Sequence, residues 1–101
     1  KILATLLELI PVISALKASA ARVILFGSCA EGEDTDESDI DLFVESDEQG
    51  AVFRTISQYS DTVSRSISPI ILTPEEALQL RFRDQPLYER IQRGNVLIGE
   101  R

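Results

Sequence analysis

An α/β (α+β) domain with a mixed sheet of three to four strands flanked by helices is predicted by three features of the sequence. Residues 22–26 are a compact apolar run ending at Gly27, the pattern of a buried strand. Residues 39–45 set Asp39 and Asp41 in alternation with Ile40, Leu42 and Val44, the period of a strand with two unlike faces. The segment between these two runs is too short for the crossover that parallel neighbours need, so a mixed sheet is expected.

The remaining elements follow in order. Ile2, Leu6, Leu9, Ile13 and Leu16 recur at helix-face spacing, with Pro11 either kinking that helix or opening a new one. The acidic stretch 29–38 reads as a loop or short helical turn. Ser46 is placed as the cap of the next helix, with Gln49 as its capping-box partner and Val52, Phe53, Ile56 and Tyr59 as its apolar face. Residues 63–72 read as a third strand. Thr73-Pro74-Glu75-Glu76 supplies a cap, a proline at the first helical position and an acid at the third, a strong helix start. A further helix is expected over residues 86–93 with Gly94 as its stop, and residues 96–98 add a short last strand.

The 101 residues fit one domain, 1–101. The chain opens on Lys1 rather than Met, so an upstream segment is expected. The longest apolar run is too short for a bilayer and no signal-peptide pattern opens the chain, so a cytoplasmic protein is expected, with no membrane partner. A lone Cys29 excludes an intrachain disulfide, and the absence of His excludes a His base and any His-containing zinc site.

Net charge is −7, and its distribution matters more than its sum. Ten of the 17 acids fall within residues 31–48 beside no base, leaving seven acids against all ten bases elsewhere. Such a segment suits divalent cations or a basic partner, and no direct nucleic-acid binding through bulk charge is expected.

The chemistry concentrates in Gly27-Ser28 and Ser38-Asp39-Ile40-Asp41. Alternate strand residues share a face, so Asp39 and Asp41 point together with Cα atoms roughly 6–7 Å apart. Two carboxylates on one rigid strand can grip one or two hard cations such as Mg²⁺, an ion that takes one or two carboxylates and completes its shell with phosphate oxygens and water. Glycine lets a ligand approach the backbone, and exposed N–H groups with the Ser28 hydroxyl can cradle phosphate. Alone, Gly-Ser reads as a turn and Asp-x-Asp as a solvated strand edge. Together, at this spacing, they are the minimum apparatus for nucleotidyl transfer.

The segment FGSCAEGEDTDESDIDLFV resembles the signature of the DNA polymerase beta-like nucleotidyltransferase superfamily, especially its minimal (MNT-type) branch. SISPIILTPEEAL and DQPLYERIQRGNVLIGE are similar to the third strand and C-terminal helix of small members. The resemblance implies the polymerase beta-like nucleotidyltransferase fold. It also implies Gly27 and Ser28 as phosphate contacts, and Asp39 and Asp41 as catalytic ligands of Mg²⁺ or Mn²⁺. Gly32 would turn the loop. ATP or another NTP is the implied substrate, with AMP moved to a hydroxyl acceptor. Resemblance to the minimal branch further implies an antitoxin role beside a HEPN-type toxin. Folds of this kind often dimerise through apolar helix faces, which makes the Ile2/Leu6/Leu9 stripe a candidate homodimer surface.

Two positions depart from the family pattern. Members carry Arg at the position of Glu31, and a third carboxylate where this chain has Ser68. A hydroxyl replaces a carboxylate neither as metal ligand nor as base, and Glu75 and Glu76 are explained as first-turn helix residues. A non-catalytic interaction module on the same fold therefore stands as the alternative. A calcium-loop count over Asp34, Asp36, Ser38 and Glu45 fails because Asp39 occupies the position that needs glycine. Cys29, without His and amid acids, reads as packing rather than as a nucleophile.

Overall fold

A computed structural model of the protein describes residues 2–32 and 38–100, the side chain of Ile2 excepted. Glu33, Asp34, Asp36 and Glu37 of the acidic stretch, and with them part of the calcium-loop count, lie outside the described residues. Helix α1 (Ile2–Leu16) leads to strand β1 (Arg22–Phe26), the short helix α2 (Ser28–Glu31) and strand β2 (Ile40–Glu45). Helix α3 (Gln49–Tyr59), a 3-10 turn and strand β3 (Ile67–Leu72) follow, then helices α4 (Pro74–Arg83) and α5 (Gln85–Gln92) and strand β4 (Asn95–Ile98). Among the described residues no helix is long and apolar enough to cross a membrane.

The four strands form one mixed sheet in the order β3-β2-β1-β4. β1 runs antiparallel to β2 and to β4, and β2 runs parallel to β3 with α3 in the crossover. Both sheet faces are covered. One carries Val23, Leu25, Ile40, Leu42 and Val44, which pack with Leu9, Val12 and Leu16 of α1 and Val52 and Ile56 of α3. The other carries Ile24, Phe26 and Phe43, closed by Ile91 of α5 and by Ala77 and Leu80 of α4. Covered faces explain why β1 reads as an unbroken apolar run: Val23 to Phe26 are all buried. Pro69 sits in β3, an edge strand, where its missing N–H costs no inner ladder bond.

Several local readings change. Pro11 lies within one helix, α1, on its exposed side. The carbonyl of Leu7 that Pro11 cannot bond belongs to an equally exposed residue, which leaves that carbonyl to water. Ser46 does not cap α3. Its hydroxyl donates to the Ser19 carbonyl and accepts from the Glu48 N–H, stapling the end of β2 to the turn before β1. Gln49 instead donates to the Ile71 carbonyl and to Glu76, bridging α3 to β3 and α4. The Thr73 capping box forms as read, with Glu76 as its partner. β3 starts at Ile67 rather than Val63, because Glu8 of α1 accepts from the Ser64 N–H and hydroxyl and holds that stretch out of the ladder. Of the Ile2/Leu6/Leu9 stripe, Leu9 is fully buried, Leu6 packs partly against the core and the side chain of Ile2 lies outside the described residues; among the described residues the exposed large apolar side chains of α1 are Leu3, Leu7 and Ile10.

Gly94 ends α5 for a different reason than a left-handed cap. A Cβ there would overlap the Leu25 carbonyl oxygen and crowd Ile24, so the glycine is what lets α5 and β4 close onto β1. Gly94→Ala is expected to cost about 1–3 kcal/mol, the usual cost of overpacking. Urea denaturation reads it, and an unchanged midpoint would refute the close approach.

Candidate functional site

β1 ends on Phe26, and Gly27 turns the chain with φ 77°, a left-handed conformation that favours glycine. Ser28 opens α2, whose first turn is closed by the Ala30 and Glu31 N–H groups donating to the Gly27 carbonyl. Gly32 ends α2 in the left-handed region, the turn read from the sequence. Cys29 is buried, and its thiol donates to the Asp39 carbonyl at 3.5 Å. The thiol therefore fastens α2 to the chain that leads into β2, and packing accounts for it.

Asp41 is the register partner of Phe26 across the β1–β2 ladder. That pairing carries its side chain to the Gly27 turn. Oδ2 occupies the space that a Cβ on residue 27 would need. Asp39, one residue before β2, is exposed, while Asp41 is partly enclosed, with 27% of its side chain accessible. Asp41 shares its sheet face with Phe26 and Phe43, beneath α5, and Ile40, Leu42 and Val44 take the opposite face. Gly27, Ser28, Asp39 and Asp41 thus lie around one turn at the end of β1.

On the other side of β2, Ser68 of the parallel strand β3 is the register partner of Asp41, and it is exposed. The strand position nearest the two aspartates on that side holds a hydroxyl. Among the described residues no group of three His, Cys, Asp or Glu side chains is arranged to hold a metal ion. The donor set fits one Mg²⁺ that takes two carboxylates and finds its remaining oxygens on phosphate and water. Among the described residues it does not supply the ligands of a second ion.

Arg90 of α5 and Arg93, the residue that caps the end of α5, were assigned no role from the sequence and complete the surroundings. Arg90 Nη2 lies 3.8 Å from Asp41 Oδ2, and the guanidinium stands 5.5 Å over the Phe26 ring. Arg93 Nε lies 3.7 Å from Glu31 Oε1 of α2. The charge of Glu31 is thus met by a base from the far end of the chain. Ile91 is the buried anchor of α5, and Arg90 and Arg93, three residues apart, lie on one side of the helix. That spacing was legible. Which strand α5 would cover was not.

The electrostatics of Asp41 are a contest. Burial raises its carboxyl above the ordinary carboxylate value, the Arg90 guanidinium pulls it down, and Asp39 pushes it up again; burial is the largest of the three. The ionised form is therefore less favourable in the folded protein than in the unfolded chain.

The family model "Polymerase beta, Nucleotidyltransferase" matches residues 9–101, a span that includes every residue of this site. No curated protein matches the chain.

Asp41→Asn is expected to stabilise the metal-free protein at neutral pH. A raised folded pKa is a cost present above that pKa, and it disappears as pH falls below the unfolded value, about 3.9. Thermal melts in chelator should show the variant ahead of wild type at pH 7 and level with it near pH 3.5. A variant less stable at pH 7 would mean that the Arg90 pair outweighs burial.

Proposed function

Because the chain belongs to the polymerase beta nucleotidyltransferase family, we propose that it transfers a nucleotide, AMP from ATP, to a hydroxyl acceptor with one Mg²⁺ or Mn²⁺. The observation that carries this reading is the seat of Asp41 Oδ2 in the space left by the missing Cβ of Gly27. A cation on that carboxylate and a phosphate on that turn would be immediate neighbours. Asp39 and Asp41 hold the ion, which supplies neutralisation of phosphate charge. Gly27 makes room for the Asp41 carboxylate beside the turn, and Ser28 offers its hydroxyl to phosphate. The acceptor oxygen attacks the α-phosphorus, the bond to the bridging oxygen breaks, and pyrophosphate leaves.

Ser68 is the weak point of that chemistry. A serine hydroxyl beside Asp41 neither binds the ion as a carboxylate does nor takes the proton of the acceptor. We therefore expect slow transfer, with water as the proton acceptor. For the acceptor we propose a HEPN-type toxin in a toxin–antitoxin pair, an assignment supported by the likeness of Gly27-Ser28 and Asp39-x-Asp41 to the minimal branch. Ser68 itself favours a second reading, a degenerate module that keeps the fold and holds a protein partner without catalysis.

Calorimetry with Mg²⁺ and ATP, beside the Asp39→Asn/Asp41→Asn double variant, separates these readings. Metal-dependent ATP binding that the variant loses supports the transferase. Wild-type protein that binds no nucleotide points to the interaction module. Ser68→Asp is a complementary gain test. It adds a carboxylate opposite Asp41 and should tighten Mn²⁺ by about tenfold, since ligand charge sets affinity in such sites. Unaltered Mn²⁺ affinity would place Ser68 outside the metal's reach.

A further inference from the structure

We propose that Arg90 is the phosphate-binding cation of this site, held on Asp41 while the site lacks metal and released to the nucleotide when the metal takes that carboxylate; the inference rests on the nucleotide-binding reading above. Four observations carry it. First, the guanidinium is at the site. Nη2 lies 3.2 Å from where a Cβ on Gly27 would sit, so the tip of Arg90 already borders the turn assigned to phosphate. Second, its bond to Asp41 is loose. A single 3.8 Å approach to one oxygen is far from the bidentate pairing that makes Arg–carboxylate contacts strong. Third, the guanidinium is accessible, with 46% of its side chain exposed, while the Phe26 ring beneath it fixes where it stands.

The fourth observation concerns the neighbouring base. Arg93, which caps the C-terminal end of α5, is engaged by Glu31 at 3.7 Å. Glu31 lies in α2 and brings negative charge to the edge of the phosphate turn. Arg93 meets that charge, which leaves Arg90 as the guanidinium that faces Gly27. A cation is needed at such a turn because Arg93 offsets only Glu31 and one divalent ion only Asp39 and Asp41, which leaves the charge of the polyphosphate itself unmet.

The exchange follows from competition for one atom. Asp41 Oδ2 is the partner of Arg90, and its carboxylate is also a ligand of the proposed metal. A divalent ion held on that carboxylate would displace the guanidinium, whose approach is a single 3.8 Å contact of a monovalent group. The freed guanidinium then presents five N–H donors in the planar fork that suits phosphate oxygens. Arg90 is thus both an occupant of the metal site and a contact for the substrate that follows the metal.

The test compares wild type, Arg90→Ala and Arg90→Lys by two readouts. One is Mn²⁺ binding without nucleotide, read from the electron paramagnetic resonance of the free ion. The other is Mg²⁺-dependent ATP binding by calorimetry. The two readouts should move in opposite directions. Arg90→Ala should bind Mn²⁺ at least as tightly as wild type, its competitor being gone, and should bind Mg·ATP about tenfold or more weakly, as loss of a charge-assisted contact predicts. Arg90→Lys should recover part of the ATP affinity, since it keeps the charge but not the fork. Unchanged ATP affinity in Arg90→Ala would overturn the proposal. So would a parallel loss of Mn²⁺ and ATP binding, which would show that Arg90 merely seats α5. If wild type binds Mn²⁺ but no ATP, or neither, the nucleotide-binding reading itself fails and this proposal with it.

Discussion

The antiparallel pairing of β1 with β2, in the register that sets Phe26 against Asp41, is the constraint on which the rest of the site depends. Side chains of a strand alternate between faces, so a slip of one residue would send Asp41 into the core now filled by Ile40, Leu42 and Val44. Both faces are buried, which makes the register costly to break. The register alone would still leave a carboxylate against a backbone turn. Gly27 removes the clash, because any Cβ there would overlap Oδ2, and its left-handed φ makes a side chain doubly unfavourable. Strand order, register and one missing methyl group therefore place a carboxylate beside the Gly27 turn.

The face that bears Asp41 is an apolar surface with polar ends. Ile24 and Phe43 lie between Asp41, level with Phe26 at one end, and Glu45 at the other. Each acid has an arginine with an aromatic ring beneath it. Arg22 bonds Glu45 at 2.7 Å over Phe43, and Arg90 approaches Asp41 at 3.8 Å over Phe26. The short pair lies where α4 and α5 close the sheet and serves the fold. The long pair lies at the Gly27 turn, where a tight ion pair would compete with any ligand of the carboxylate. The same residue types in the same motif differ by about 1 Å in approach, and that difference separates a structural contact from an exchangeable one.

The sequence made some of this legible and hid the rest for identifiable reasons. Gly27-Ser28 and Asp39-Ile40-Asp41 could be read because the period of two and the strand-end glycine are local properties. The Thr73 capping box was equally local, its partners being three residues apart. Ser46 and Gln49 have the same spacing, yet both side chains are drawn away by distant partners, Ser19 and Ile71. Glu8 likewise delays β3 through Ser64, 56 residues on. Local rules yield wherever a long-range partner offers a better hydrogen bond, and nothing nearby in the sequence announces that partner. Ser68 was an intermediate case. Its spacing from β2 placed it in the third strand, and the parallel register then set it opposite Asp41.

Arg90 shows the limit of motif reading most clearly, because it lies 49 residues beyond Asp41 and enters the site through packing rather than spacing. Its position follows from Ile91, which docks α5 onto the face of Phe26, and from Gly94, whose lack of a Cβ lets the chain pass close under β1. Once α5 is seated there, the residue before the anchor points at the turn and the residue after the next reaches Glu31. The acidic charge of Glu31 and the basic charge of Arg93 are then one feature rather than two. Positive charge at this edge of the site comes from the C-terminal helix, while the helix that follows Gly27 carries negative charge. A site so arranged depends on the docking of α5 as much as on its own loop, so its ligand affinity and the closure of the C-terminal half of the fold are coupled through the same few contacts.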